Sequence, residues 1–138
     1  MHKQGHTLGK MERLKSRKRI EHLFAEGKSF NLYPLRVNWM MHDASSPKDF
    51  PAKFGAGVSS RHFKKAVNRN RIKRLLREAW RLQNADLKEK LSSKNKLLEL
   101  FVIYTGKELP DYTMIASAIS ASIKRIQSAW NENNAPHS

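Results

Sequence analysis

Residues 64–81 read KKAVNRNRIKRLLREAWR, with eight Lys or Arg among eighteen positions and Glu78 as the only acid. A run so charged can fold only by hiding its few apolar residues on one side. Ile72, Leu75, Leu76 and Ala79, followed by Gln83, recur at three- and four-residue steps. On a helix of about 3.6 residues per turn those positions share a face. Lys73, Arg74, Arg77 and Arg81 fall on the opposite side, with Arg69 and Arg71 on the two shoulders. The like-charged pairs Arg69/Lys73, Lys73/Arg77 and Arg77/Arg81 each cost about 0.2–0.5 kcal/mol, which a merely solvated surface would normally relieve by interspersing Glu. A helix face of one sign is expected to lie against a polyanion.

The rest of the chain supports that expectation. With 138 residues it is long enough for one domain with a real core. Its net charge is +15 and its pI about 10.4, so the expected partner is acidic, nucleic acid before anionic membrane. Residues 1–36 carry nine basic and three acidic side chains, whereas from Leu100 onward three bases meet three acids. The two basic segments are therefore expected to meet on one face. With no cysteine there is no disulfide framework and no thiolate metal site. No early apolar run resembles a secretion signal or a membrane span, so a cytoplasmic, soluble protein is expected.

Residues 1–12 read as a disordered basic arm, 13–131 as one domain and 132–138 as a tail. Ser16 can cap a helix in which Ile20, Leu23 and Phe24 form an apolar trio and which Gly27 ends. Residues 30–41 alternate as a strand, Leu35, Val37 and Trp39 facing one way and Arg36 and Asn38 the other, with Pro34 near its start. A loop follows over 43–51. Residues 53–60 form a second strand whose Gly55 and Gly57 imply close approach to its backbone. Residues 83–96 look like a helix tail plus an insertion. Residues 97–105 are the most hydrophobic strand, expected mid-sheet. Asp111 or Thr113 opens a last helix with Ile115, Ala118, Ile119, Ser122, Ile123 and Ile126 facing the sheet and Trp130 closing it. The implied class is α+β, a two-layer α-β sandwich with a small mixed sheet in the order α-β-β-(β)-α-β-α.

Protein-borne catalysis has little to build on. Six histidines are scattered without metal-ligand spacing, and Asp43, Asp49, Glu78, Asp86 and Asp111 show no convergence for a magnesium site. No nucleophilic triad and no glycine-rich phosphate loop is present. The expectation is no catalytic residue, no metal site and no cofactor held by the protein alone.

The run from Ala66 to Ala79, with Arg69-Asn70-Arg71 followed by Ile72-Lys73-Arg74, resembles the signature of the bacterial ribonuclease P protein component. Gly57-Val58-Ser59-Ser60-Arg61 is similar to that family's strand, although Ser60-Arg61 stands where a lysine pair is common; Lys64 and Lys65 follow. Residues 14–27 resemble its first helix, and the likeness spans about residues 14–104. The resemblance implies a sandwich with a left-handed β-α-β crossover, against the general preference. It also implies a ribonucleoprotein that cuts the 5′ leader from precursor tRNA, with an RNA subunit holding magnesium and performing hydrolysis.

By that resemblance the partners are ribonuclease P RNA and precursor tRNA, with no membrane and no DNA. The RNA-binding set is Lys64, Lys65, Arg69, Asn70, Arg71, Lys73, Arg74 and Arg77. The leader cleft, between first helix and central sheet, takes Ile20, Phe24, Arg36, Asn38, Trp39 and Ser60. Side-chain chemistry agrees: guanidinium forks suit phosphate oxygens, lysines act as point charges, and Asn70 can bridge a phosphate or 2′-hydroxyl. Phe24, Phe30, Tyr33 and Trp39 are stacking candidates for single-stranded RNA. Ile20 and Asn38 stand where the family often has aromatics, which implies weaker stacking. Two other readings compete: a ribosomal-type structured-RNA-binding protein with no catalytic link, and a DNA-binding helix module. Against the second stands the strand directly ahead of the basic helix.

Overall fold

The computed structural model describes residues 12–44 and 50–134. In chain order the elements are α1 (Arg17–Glu26), β1 (Lys28–Leu32), β2 (Leu35–Asp43), β3 (Ala52–Val58), α2 (Ala66–Gln83), α3 (Ala85–Ser93), β4 (Lys96–Tyr104) and α4 (Tyr112–Asn134). The four strands form one sheet in the order β1-β2-β4-β3. β1 and β2 pair antiparallel, as do β2 and β4, whereas β3 and β4 run parallel with α2 and α3 between them in sequence. The class is α+β with a mixed sheet, as the periodicities imply, and β4 lies inside the sheet as its hydrophobicity demands.

The strand expected over 30–41 is a hairpin, β1 and β2, turning at Tyr33-Pro34 with Leu32 opposite Leu35. The alternation held the clue. Phe30 and Leu32 keep an even phase and Leu35, Val37 and Trp39 an odd one, and a two-residue turn produces that slip. The expected insertion over 83–96 is instead the separate helix α3, whose Leu87 and Leu91 are fully buried one turn apart. α4 does not close at Trp130 but runs on to Asn134. Most of the expected 1–12 arm and the end of the tail lie outside the described residues. Glu12, however, ion-pairs with Lys88 at 3.0 Å, and Arg13 bridges to Phe54, so both belong to the folded domain.

Alternation divides the sheet into two faces. Leu35, Val37, Trp39, Phe54, Leu98, Leu100, Val102 and Tyr104 face one layer of helices and join Ile72, Leu76 and Trp80 of α2, Leu87 and Leu91 of α3 and Ile115, Ile119 and Ile126 of α4 in a single core. Phe54 and Trp80 stack with ring centroids 5.1 Å apart, fastening α2 to the edge strand. Among the described residues the second face is covered only in part, by α1 and the segment before it. Ser16 caps that helix by accepting the Arg19 amide hydrogen at 3.3 Å, and Leu23 is its one fully buried anchor.

Candidate RNA interface

Two features flank the sheet, a cationic helix on one side and a groove beside α1 on the other. On α2 the residues pressed into the core are Ile72, Leu76, Ala79 and Trp80. Leu75 is only half-buried, and Trp80, outside the expected stripe, is the largest fully buried anchor. Opposite them Asn70, Arg71 and Arg74 are exposed, as are Lys64 and Lys65 just before the helix. Lys73 is half-buried at the shoulder.

Two arginines of the expected set do other work. Arg69 donates from Nη1 to the carbonyls of Phe63 at 2.8 Å and Lys64 at 2.7 Å, so it ties the loop entering α2 rather than pointing freely outward. Arg77 is half-buried, and burial, with the charge of Arg13 added, pulls its guanidinium below the ordinary arginine value. Arg81 is engaged by Glu78 at 2.6 Å, within its own helix. The outward cationic surface is therefore narrower than the helical wheel suggests, and it centres on the first half of α2.

On the second face Arg36, Asn38 and Met40 of β2, Gly55 and Gly57 of β3, and Phe101 and Ile103 of β4 share the side on which α1 sits. Phe101 lies against both glycines: a Cβ on Gly55 would come 2.5 Å from its Cδ2 and 2.9 Å from the Leu14 carbonyl oxygen. The close approach that the glycines imply is thus internal, from an aromatic ring and from the segment before α1. Phe24 of α1 meets Phe101 edge-on at 5.4 Å while staying 47% exposed, so the groove wall is aromatic and open.

The wall is fixed to the floor by a charged cluster. Glu99 of β4, almost wholly buried, accepts from Arg19 Nε at 3.0 Å, from Arg19 Nη2, and lies 2.9 Å from His42 Nε2. Burial alone would push the Glu99 carboxyl up, but the hydrogen bonds from Arg19 and His42 outweigh it and hold the group below the usual carboxylate value. Arg19 is correspondingly raised by its bond to Glu99.

Of the expected groove residues, Phe24, Arg36 and Asn38 are on the α1 side of the sheet, and Ile20 is half-buried on α1. Asn38 is only 6% exposed, and its Nδ2 has no partner among the described residues. Trp39 must be removed: it faces the opposite side, 4% exposed, in the core with α4. Adjacent strand residues cannot line one face, so Asn38 and Trp39 exclude each other. Ser60 is exposed in the turn after β3. Phe30 packs on the core side beneath Arg125 at 4.7 Å, and Tyr33 is 72% exposed at the hairpin turn. Phe101, Glu99, His42 and Arg19 were missed. The alternation Glu99, Phe101, Ile103 along β4 would have found the first two; the pairing across 80 residues would not.

Among the described residues no group of three or more His, Asp or Glu is placed to hold a metal ion, and no helix is long and apolar enough to cross a membrane.

Comparison with known proteins converges on one family. The family model for ribonuclease P matches residues 8–127. Ribonuclease P protein components from two strains of Porphyromonas gingivalis are 36% identical over 119 residues, covering 86% of this chain and 85% of theirs. In structure the chain is similar to the RNase P protein from Thermotoga maritima, with TM-score 0.63, 24% identity and coverage of 83% of this chain and 96% of that one. The Staphylococcus aureus RNase P protein gives TM-score 0.64 at 18% identity, covering 83% and 94%.

Proposed function

This chain belongs to the ribonuclease P protein component family, and from that premise we propose that it is the RNA-binding, non-catalytic subunit of a ribonuclease P that removes 5′ leaders from precursor tRNA. The observation that carries the proposal is the outward side of α2: Asn70, Arg71 and Arg74 are exposed on a helix whose other side is fastened to the core by Ile72, Leu76, Ala79 and Trp80. Anchoring the helix fixes the backbone positions of these side chains during folding, so binding a polyanion has only the side chains left to order.

In this reading Lys64, Lys65, Asn70, Arg71, Lys73 and Arg74 meet the phosphates of the ribonuclease P RNA. Arg69 shapes the loop that presents Lys64 and Lys65. The groove bounded by Phe24, Phe101, Arg36 and Asn38 receives the single-stranded leader. Phe24 and Phe101 offer ring surface for bases and Arg36 a phosphate contact, while the unpartnered Asn38 Nδ2 is a donor awaiting an acceptor. Hydrolysis is assigned to magnesium ions held by the RNA, and the chain's own contribution is to neutralise and orient RNA strands. The expected setting is cytoplasmic.

Reconstitution tests this. The protein, mixed with a bacterial ribonuclease P RNA at limiting magnesium, is expected to accelerate leader removal, and to do nothing to precursor tRNA alone. Unaided cleavage by the protein, or no gain when the RNA is present, would overturn the proposal.

A further inference from the structure

A second concentration of positive charge lies far from the start of α2. Lys90 and Lys94 at the end of α3 and Lys96 at the start of β4 line one cleft of about 440 Å³, together with Trp130 and Asn131 of α4. No carboxylate is among those lining residues. The helix dipole favours cations at the end of α3, which accounts for Lys90 and Lys94 but not for Lys96 of the next element entering the same space.

The ammonium groups are also partly arranged in advance. Lys90 Nζ donates to Asn131 Oδ1 at 3.0 Å and sits 5.1 Å from the centre of the Trp130 ring, leaving two donors without a hydrogen-bond acceptor among the described residues. Lys96 is held by Asp43, an exposed carboxylate that solvent and salt screen readily. Lys94 makes no ion pair among the described residues. Lys88, on the same helix, is already neutralised by Glu12 and stays outside the cleft.

The position matters as much as the composition. Lys96 begins β4 and Tyr104 ends it. Nine residues of strand span about 26 Å. Phe63 contacts Tyr104, and Arg69 holds the Phe63 carbonyl, so the first turns of α2 belong to the Tyr104 end. The lysine cleft belongs to the other.

We infer that the cleft formed by Lys90, Lys94, Lys96, Trp130 and Asn131 is a second RNA-phosphate site, so that the protein engages RNA backbone at both ends of β4. This rests on the RNA-binding reading and extends it to a surface outside α2 and the groove. The ligand is a phosphodiester run. A single ammonium per phosphate is the expected contact, because lysines act as point charges where arginines would fork.

The test is binding of two labelled probes, a bacterial ribonuclease P RNA and a precursor tRNA, across a series of salt concentrations. The variants are Lys94→Gln, the triple Lys90→Gln/Lys94→Gln/Lys96→Gln, and Arg71→Ala/Arg74→Ala as reference. Each lost phosphate contact lowers the slope of log K against log salt by about 0.7–0.9. The triple variant should therefore lose about 2–3 from the slope, and Lys94→Gln, which breaks no ion pair, nearly 1. The probe that shows the loss identifies which RNA sits there. Unchanged slopes for both lysine variants on both probes, while Arg71→Ala/Arg74→Ala lowers its slope, would overturn this inference and leave the RNA-binding reading standing. Failure of the unsubstituted protein to bind either probe would sink that reading itself. If the triple variant does not fold, Lys94→Gln decides alone.

Discussion

Replacing Glu99 by Gln should unfasten α1 from the sheet, and the loss should depend on pH in a defined direction. The carboxylate accepts two hydrogen bonds from Arg19 and lies within one of His42, in a site where its side chain is 10% exposed and that of Arg19 is 44%. Hydrogen bonds to a charged partner contribute about 1.5–3 kcal/mol each when desolvated. Solvent around Arg19 screens its share substantially. Glutamine keeps one acceptor but turns an NH2 toward groups that also donate. The net cost at neutral pH is about 2 kcal/mol, or a fall of roughly 6–10 °C in Tm for a domain of this size.

Glu99 titrates below its ordinary value of 4.5 in the folded protein. Its contribution is thus fully present above the unfolded value and disappears as pH falls through the folded one. Urea unfolding of the wild-type protein and Glu99→Gln at neutral pH and near pH 3 checks this, because every other carboxylate titrates in both. The stability difference should be about 2 kcal/mol at neutral pH and shrink toward zero in acid. A difference that stays constant over that range would refute the assignment of Glu99 as the charged anchor of α1.

The two arginines of the Arg-Asn-Arg block should separate in their effects. Arg69→Ala, which strands the Phe63 and Lys64 carbonyls, is expected to lower stability by about 1–2 kcal/mol in chemical denaturation. Arg71→Ala/Arg74→Ala should stay within about 0.5 kcal/mol of wild type yet weaken RNA binding and cleavage at limiting magnesium; full activity would contradict an RNA-binding role for the outward side of α2. Phe24→Ala removes an edge-on ring contact worth about 0.5–1.5 kcal/mol, and binding measurements should show a larger loss of affinity for leader-bearing tRNA than for mature tRNA; equal losses would mean structural damage. Trp80→Ala empties the position stacked on Phe54 and should cost about 3–5 kcal/mol by urea titration, a large part of a typical domain's stability; a loss below about 1 kcal/mol would show that α2 is anchored elsewhere.

Local patterns carried most of the architecture. The three- and four-residue spacing in α2 and α4, the Ser16 cap and the odd-numbered run Leu35, Val37, Trp39 each depend on neighbours a few positions apart, and such periods are written in the chain itself. The same kind of signal was present but unread in Leu87 and Leu91 of α3 and in the phase slip at Tyr33-Pro34. The exposed cation Arg74 could also be placed from the chain, since a helical wheel fixes which residues must turn away from an apolar stripe.

Other features were settled only when distant segments met. Whether Arg69 faces RNA or two carbonyls depends on the path of residues 59–65, which no periodicity encodes. Arg77 is pulled below the ordinary arginine value by burial, with the charge of Arg13, 64 positions earlier, added. Glu99, one acid in a hydrophobic strand, becomes the anchor of α1 because α1 brings Arg19 across the sheet. Trp39 was lost from the groove for a simpler reason: β2 has two faces, and α4 claimed the one that tryptophan occupies. Hydrophobic spacing is a one-dimensional quantity that the amino-acid order stores directly; charge partners and burial are three-dimensional, and they exist only once the sheet has brought its crossing segments together.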